Sequence, residues 1–97
     1  MTPAQLSASA LADAVPPADL SPEGRALWFT RRGDWEQAHL IAQDIATPTG
    51  AWIHALLHLI EGDLSNARYW FIEAGRPAKQ PAQSDDLWTE IAGEVLK

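Results

Sequence analysis

Ninety-seven residues, 46% of them apolar and 21% charged, suffice for one small domain with its own core and are too apolar for a disordered chain. The formal charge is −6 and the 7 basic residues are scattered, which argues against nucleic acid as a ligand, since phosphate binding needs clustered Lys and Arg. Cysteine is absent, which excludes disulfides and thiolate chemistry, and the longest apolar run, near Leu56 to Ile60, is far too short to span a membrane. The first fifteen residues lack the basic region and the sustained apolar run of a signal peptide, so a cytoplasmic location is expected.

In chain order, Thr2-Pro3 opens a short helix as N-cap and first helical residue, with Leu6, Ala10, Leu11 and Val15 as a thin apolar stripe and Pro16-Pro17 as its stop. Ser21-Pro22-Glu23 is a second start signal, for a helix that carries Leu27, Trp28 and Phe29 to Arg32 and ends at Gly33. Asp34 caps the next helix, with Gln37 completing a capping box and Trp35, Ala38, Ile41, Ala42 and Ile45 on one face. Thr47-Pro48 closes that unit. Thr49 caps a helix through Glu61, Gly62-Asp63 turns the chain, and a further helix runs from about Leu64 to Ala74, with Gly75 as C-cap. Arg76 to Gln83 reads as a linker without periodicity. Ser84 then caps a last helix with an acidic first turn and a stripe of Leu87, Trp88, Ile91, Ala92 and Val95.

A shift of 29 residues lays Ala26–His39 over Ala55–Arg68, with Ala26/Ala55, Leu27/Leu56, Gly33/Gly62, Asp34/Asp63 and Ala38/Ala67 identical. Pro48 and Pro77 also match. The pattern resembles the tetratricopeptide repeat: a small residue within the first helix, glycine at the turn, and alanine five residues later where the helices cross. The resemblance implies close approach at Ala26 and Ala55 and packing positions at Phe71 and Ala74. The period is shorter than the usual ~34 residues, and the large aromatic expected early in the first helix is replaced by Pro22 and Ala51. The block from Thr49 to Pro77 also resembles a family of small bacterial proteins to which no activity is assigned. The expected architecture is therefore a single all-α domain over residues 1–97. It comprises two helix-turn-helix repeats, about 20–48 and 49–77, an N-terminal helix, and a C-terminal capping helix over about 84–96. Two repeats leave end units with one neighbour each, so the flanking helices or a second copy of the chain must cover them.

Two sets of residues stand out. Trp52, Leu56, Leu59 and Ile60 would line the concave face of a tetratricopeptide array, and Tyr69 and Trp70 flank it. An open apolar face on so small a protein is costly, so either the terminal helices cover it or it marks an interaction site for a protein partner or a homodimer. His54, His58 and Glu61 fall at i, i+4 and i+7 on one stripe of the central helix. Two histidines at i, i+4 can share a metal ion and a carboxylate one turn on can be a third ligand, but in the repeat register His54 and His58 fall where the first helix packs on the second, which favours hydrogen-bonded core histidines. No glycine-rich phosphate loop and no nucleophile with an elbow motif is present, so no reaction and no cofactor is called for. The expected function is a non-enzymatic interaction module or self-associating scaffold, with small-ligand or metal binding at His54, His58 and Glu61 as the alternative.

Overall fold

The computed structural model describes all 97 residues: six α-helices, one 3₁₀ turn and no strand. In order they are α1 (Pro3–Ala12), α2 (Pro22–Arg32), α3 (Trp35–Gln43), α4 (Pro48–Glu61), α5 (Leu64–Ala74), a 3₁₀ turn at Pro81–Gln83, and α6 (Ser84–Val95). Most helix starts are set by one side chain that accepts an orphan backbone N–H. Thr2, Ser21, Asp34, Thr47 and Asp63 accept from the residue three further on, and Pro3, Pro22 and Pro48 occupy first positions where a missing N–H costs nothing.

Three boundaries depart from the sequence reading. The central helix α4 is capped by Thr47, not Thr49, and Pro48 is its first residue. The Thr-Pro pair thus opens the second unit instead of closing the first, because proline's fixed φ suits the first helical turn as well as it stops a preceding helix. Ser84 lies inside α6: its hydroxyl donates to the Pro81 carbonyl (2.7 Å), and the 3₁₀ turn, within the stretch read as a linker, feeds directly into the helix. Helix α1 stops at Ala12, before the prolines, and only Leu6 and Ala10 of its stripe are buried. Leu11 and Val15 face solvent.

The two glycine turns are near-copies. Gly33 and Gly62 adopt left-handed φ of 90° and 85°, and the amides of the following Asp34 and Asp63 donate back to the carbonyls of Phe29 and His58. Left-handed backbone is nearly free for glycine and costly for other residues, so each turn needs its glycine. The helices on either side fold back on one another.

Helix α4 is the centre of the molecule, packing against α2, α3, α5 and α6. Nine of its fourteen residues are buried, including Ile53, Ala55, Leu56 and Leu57 with no measurable exposure. Ala26 and Ala55 are also fully buried, and Phe71 and Ala74 lie in the same core. Helix α6 crosses α2 and α4 and touches α1. Its Trp88 indole donates to the Leu27 carbonyl (2.9 Å), a buried bond that pins the last helix to the second. No helix is long and apolar enough to cross a membrane.

Candidate metal centre

The apolar set expected to form an open groove is mostly interior. Trp52, Leu56 and Leu59 are buried in the core beneath neighbouring helices, and only Ile60 of the four is exposed. Trp52 is sealed by Arg76, whose guanidinium lies 3.9 Å over its ring and is held there by Glu94 of α6 at 2.8 Å. Tyr69 is exposed. Trp70 is half-buried and turned toward the histidines, with Tyr69 edge-on against it.

The histidines converge. His54 and His58, on consecutive turns of α4, are both buried, and their rings stack 4.9 Å apart. The third member, His39, comes from α3, and its Nε2 lies 2.9 Å from His54 Nε2. One ring nitrogen from each of His39, His54 and His58 falls within 4.8 Å of the others. Two tryptophans wall the cluster: Trp35 stacks on His39 at 4.8 Å and Trp70 on His54 at 3.9 Å. Trp35 is itself tied to α4, its indole donating to the Leu57 carbonyl at 2.7 Å.

Glu61 completes the set from outside. Its carboxylate accepts, so the 2.7 Å contact with His58 places a proton on His58 Nδ1. A carboxylate on one nitrogen orienting a histidine whose other nitrogen meets a metal is the arrangement usual around metal-bound histidines. Asp63 also lies near Glu61 and His58, but its carboxylate already accepts from the Asn66 amide, the Asn66 side chain and the Ser65 hydroxyl as the cap of α5. It is the turn's residue, not a free ligand.

The electrostatics favour neutral rings at His54 and His39. Desolvation by burial, followed by the neighbouring His39 and His58, lowers the pKa of His54 to about 4. The pKa of His39 is lowered as well, by burial and then by His58, with Glu61 pulling weakly the other way. Neutral imidazoles are what a transition metal requires, and depressed pKa values remove proton competition near pH 7. At 2.9 Å the His39–His54 contact needs a proton on one of the two Nε2 atoms. A metal ion replacing it would open that pair slightly, since Zn–N bonds of ~2.0–2.1 Å at tetrahedral angles put ligand nitrogens roughly 3.3 Å apart. A cleft of about 300 Å³ beside the cluster, lined by Ile45, Pro48, Gly50, His54, Trp70 and Glu73, gives solvent a route to it.

His54, His58 and Glu61 thus lie together as their spacing implied, while His39 escaped the sequence reading. A signal existed: His39 and His54 stand eight and seven residues either side of Thr47, where an antiparallel helix pair brings facing residues together. No protein-family model, curated protein or solved structure matches this chain.

Proposed function

We propose that this protein binds one transition-metal ion, of the zinc type, through His39, His54 and His58, with Glu61 orienting His58. The observation that carries this reading is the convergence of all three histidines of the chain within one cluster, with a carboxylate on Nδ1 of one of them. Imidazole ligands suit zinc, copper, nickel and iron, and a set without carboxylate or carbonyl oxygens disfavours calcium and magnesium. Three protein ligands leave one tetrahedral position for water or a small exogenous donor. The scaffold is read as a pair of tetratricopeptide-like hairpins, on the strength of the matched Gly-Asp turns and the repeated small residues at Ala26 and Ala55.

Isothermal titration of the metal-free protein with zinc tests it. The expected result is one ion per chain with micromolar or tighter affinity (about −8 kcal/mol or better), lost in His39→Ala and in His54→Ala. A wild-type chain that takes up no zinc, nickel or copper(II) at tenfold excess, and whose melting temperature none of them moves, would refute the proposal.

The interaction-module reading retains one observation. Leu64, Arg68 and Ile72 form an i, i+4, i+8 stripe on the outer side of α5, with Leu64 and Ile72 exposed beside Tyr69. Light scattering over a concentration series separates a chain that pairs through this stripe from one that stays single.

A further inference from the structure

Three arginines lie over tryptophan rings: Arg31 over Trp88 at 4.2 Å, Arg32 over Trp28 at 4.8 Å and Arg76 over Trp52 at 3.9 Å. Two of them are firmly anchored. Arg32 donates to the carbonyls of Ala10 and Asp13, closing α1 onto α2, and Arg76 is clamped by both carboxylate oxygens of Glu94. Arg31 differs. Its side chain is 23% exposed, yet its one acceptor is Asp85 at 3.4 Å, on a carboxylate that is 92% exposed. Its Nε is the single buried side-chain nitrogen or oxygen of the protein without a hydrogen-bond partner.

A guanidinium has five N–H donors, and a buried one left unsatisfied costs more than a typical hydrogen bond returns. The contact to Asp85 sits at the outer limit of hydrogen-bond distance, on a solvated partner, and is worth little. Arg31 also borders a cleft of about 390 Å³ between the end of α2, the end of α4 and the start of α6. Ile60 and Pro81, both exposed, give that cleft an apolar edge, with Leu59 and the Trp88 ring buried behind them. Its two hydroxyls already donate elsewhere, Thr30 to the Ala26 carbonyl and Ser84 to the Pro81 carbonyl. The cleft therefore offers one cationic fork and an exposed apolar edge. That combination fits a singly charged carboxylate on an apolar body.

We propose that the Arg31–Trp88 cleft binds a small amphipathic monocarboxylate, its head on the Arg31 guanidinium and its tail along Ile60 and Pro81. The site is separate from the histidine cluster. Trp88 holds the guanidinium plane in place, and its own bond to Leu27 fixes the ring, so the receptor is formed before the ligand arrives. Asp85 is the natural competitor. Its carboxylate occupies the position the ligand's would take, so its removal strengthens binding.

The test is a titration of the ¹⁵N-labelled protein with octanoate, and with octanol as the uncharged control, followed by amide chemical shifts. Octanoate should move the amides of Thr30, Arg31, Ser84 and Asp85 with a dissociation constant near millimolar (about −4 kcal/mol), and octanol should move them at least about tenfold more weakly. Arg31→Gln should weaken octanoate binding by roughly tenfold or more, the loss of one charge-assisted contact. Asp85→Asn, at an exposed position that does not endanger folding, should tighten it severalfold. No shift of these amides by octanoate at tens of millimolar overturns the proposal, as does equal binding of octanol or an Asp85→Asn protein that binds no better than wild type.

Discussion

At His54 burial and charge act in the same direction, and the consequence is a pH dependence of stability. Its pKa is about 4 in the folded protein against 6.5 for an unperturbed imidazole, so the unfolded chain takes up the proton first. The contribution is complete above pH 6.5 and is lost as pH falls from there through about 4. Between pH 7.5 and pH 5, above the range where ordinary carboxylates titrate, the metal-free protein should lose about 2 kcal/mol through this group. Urea unfolding at the two pH values measures the loss, and His54→Gln should remove most of it. An equal loss in the variant would mean that other groups govern the acid limb. Glu61 supplies a second prediction at this scale. Its carboxylate accepts from His58 Nδ1 at 2.7 Å and thereby orients that ring, so Glu61→Gln should keep the fold and lower zinc affinity by about 10–100-fold. Calorimetric titration of the variant reads this directly, and unchanged affinity would show that His58 does not need its carboxylate.

Two helical glycines have opposite environments, which makes them a test of how the elements pack. A Cβ built on Gly50, in the first turn of α4, would run into the Ile45 carbonyl oxygen and lie 2.7 Å from the Ile45 Cβ. The obstacle is mainly backbone of the α3–α4 connection, which cannot swing aside, so Gly50→Ala should cost roughly 2 kcal/mol or more. It should also weaken zinc binding, because the same connection sets the distance between His39 and His54. Gly93, in α6, would meet nothing within 4 Å. There alanine should raise stability by about 0.5–1 kcal/mol through helix propensity and the unfolded chain's lost freedom. Thermal unfolding of the two variants should move the melting temperature in opposite directions. The same element scale explains what the sequence made legible. Caps and stops are local chemistry, and Ser21-Pro22, Asp34, Gly62-Asp63 and Gly75 could be read directly. Thr47-Pro48 could not, because one dipeptide serves as an end signal and a start signal and only the packing of Gly50 on Ile45 decides between them. His54 and His58 were visible because i, i+4 is a property of one helix. His39 was not, because its partnership depends on how two helices pair.

On the scale of the whole molecule, the open question is what α6 does to the face of α4 that a bare pair of hairpins would leave uncovered. The accessible surface, 5348 Å² for 10.6 kDa, is close to the roughly 5,500 Å² expected of a folded monomer of that mass. A chain with an unfilled groove would exceed that value, so Trp52, Leu56 and Leu59 are already covered from within. Trp88 carries much of this closure. It is 3% exposed, it donates the single indole bond from α6 to α2, and its ring lies beneath Arg31. Replacing it with alanine removes the largest side chain of α6 from the core, and such truncations cost about 3–5 kcal/mol. A domain of this size has a total stability of only about 5–10 kcal/mol, so the loss falls on the cooperativity of the fold as well as its midpoint. Trp88→Ala should therefore loosen α6 first, uncover Leu56 and Leu59, and increase association with rising concentration relative to the wild-type chain. Light scattering together with amide hydrogen exchange separates the alternatives. Loss of protection confined to α6, with a mass that grows with concentration, is the expected outcome. Uniform loss of protection in a chain that stays monomeric would mean that α6 belongs to one indivisible core and does not act as its lid. An Ile72→Ser control, at a position 70% exposed on α5, should change stability by no more than about 0.5 kcal/mol, unless the outer face of that helix is itself where two chains meet.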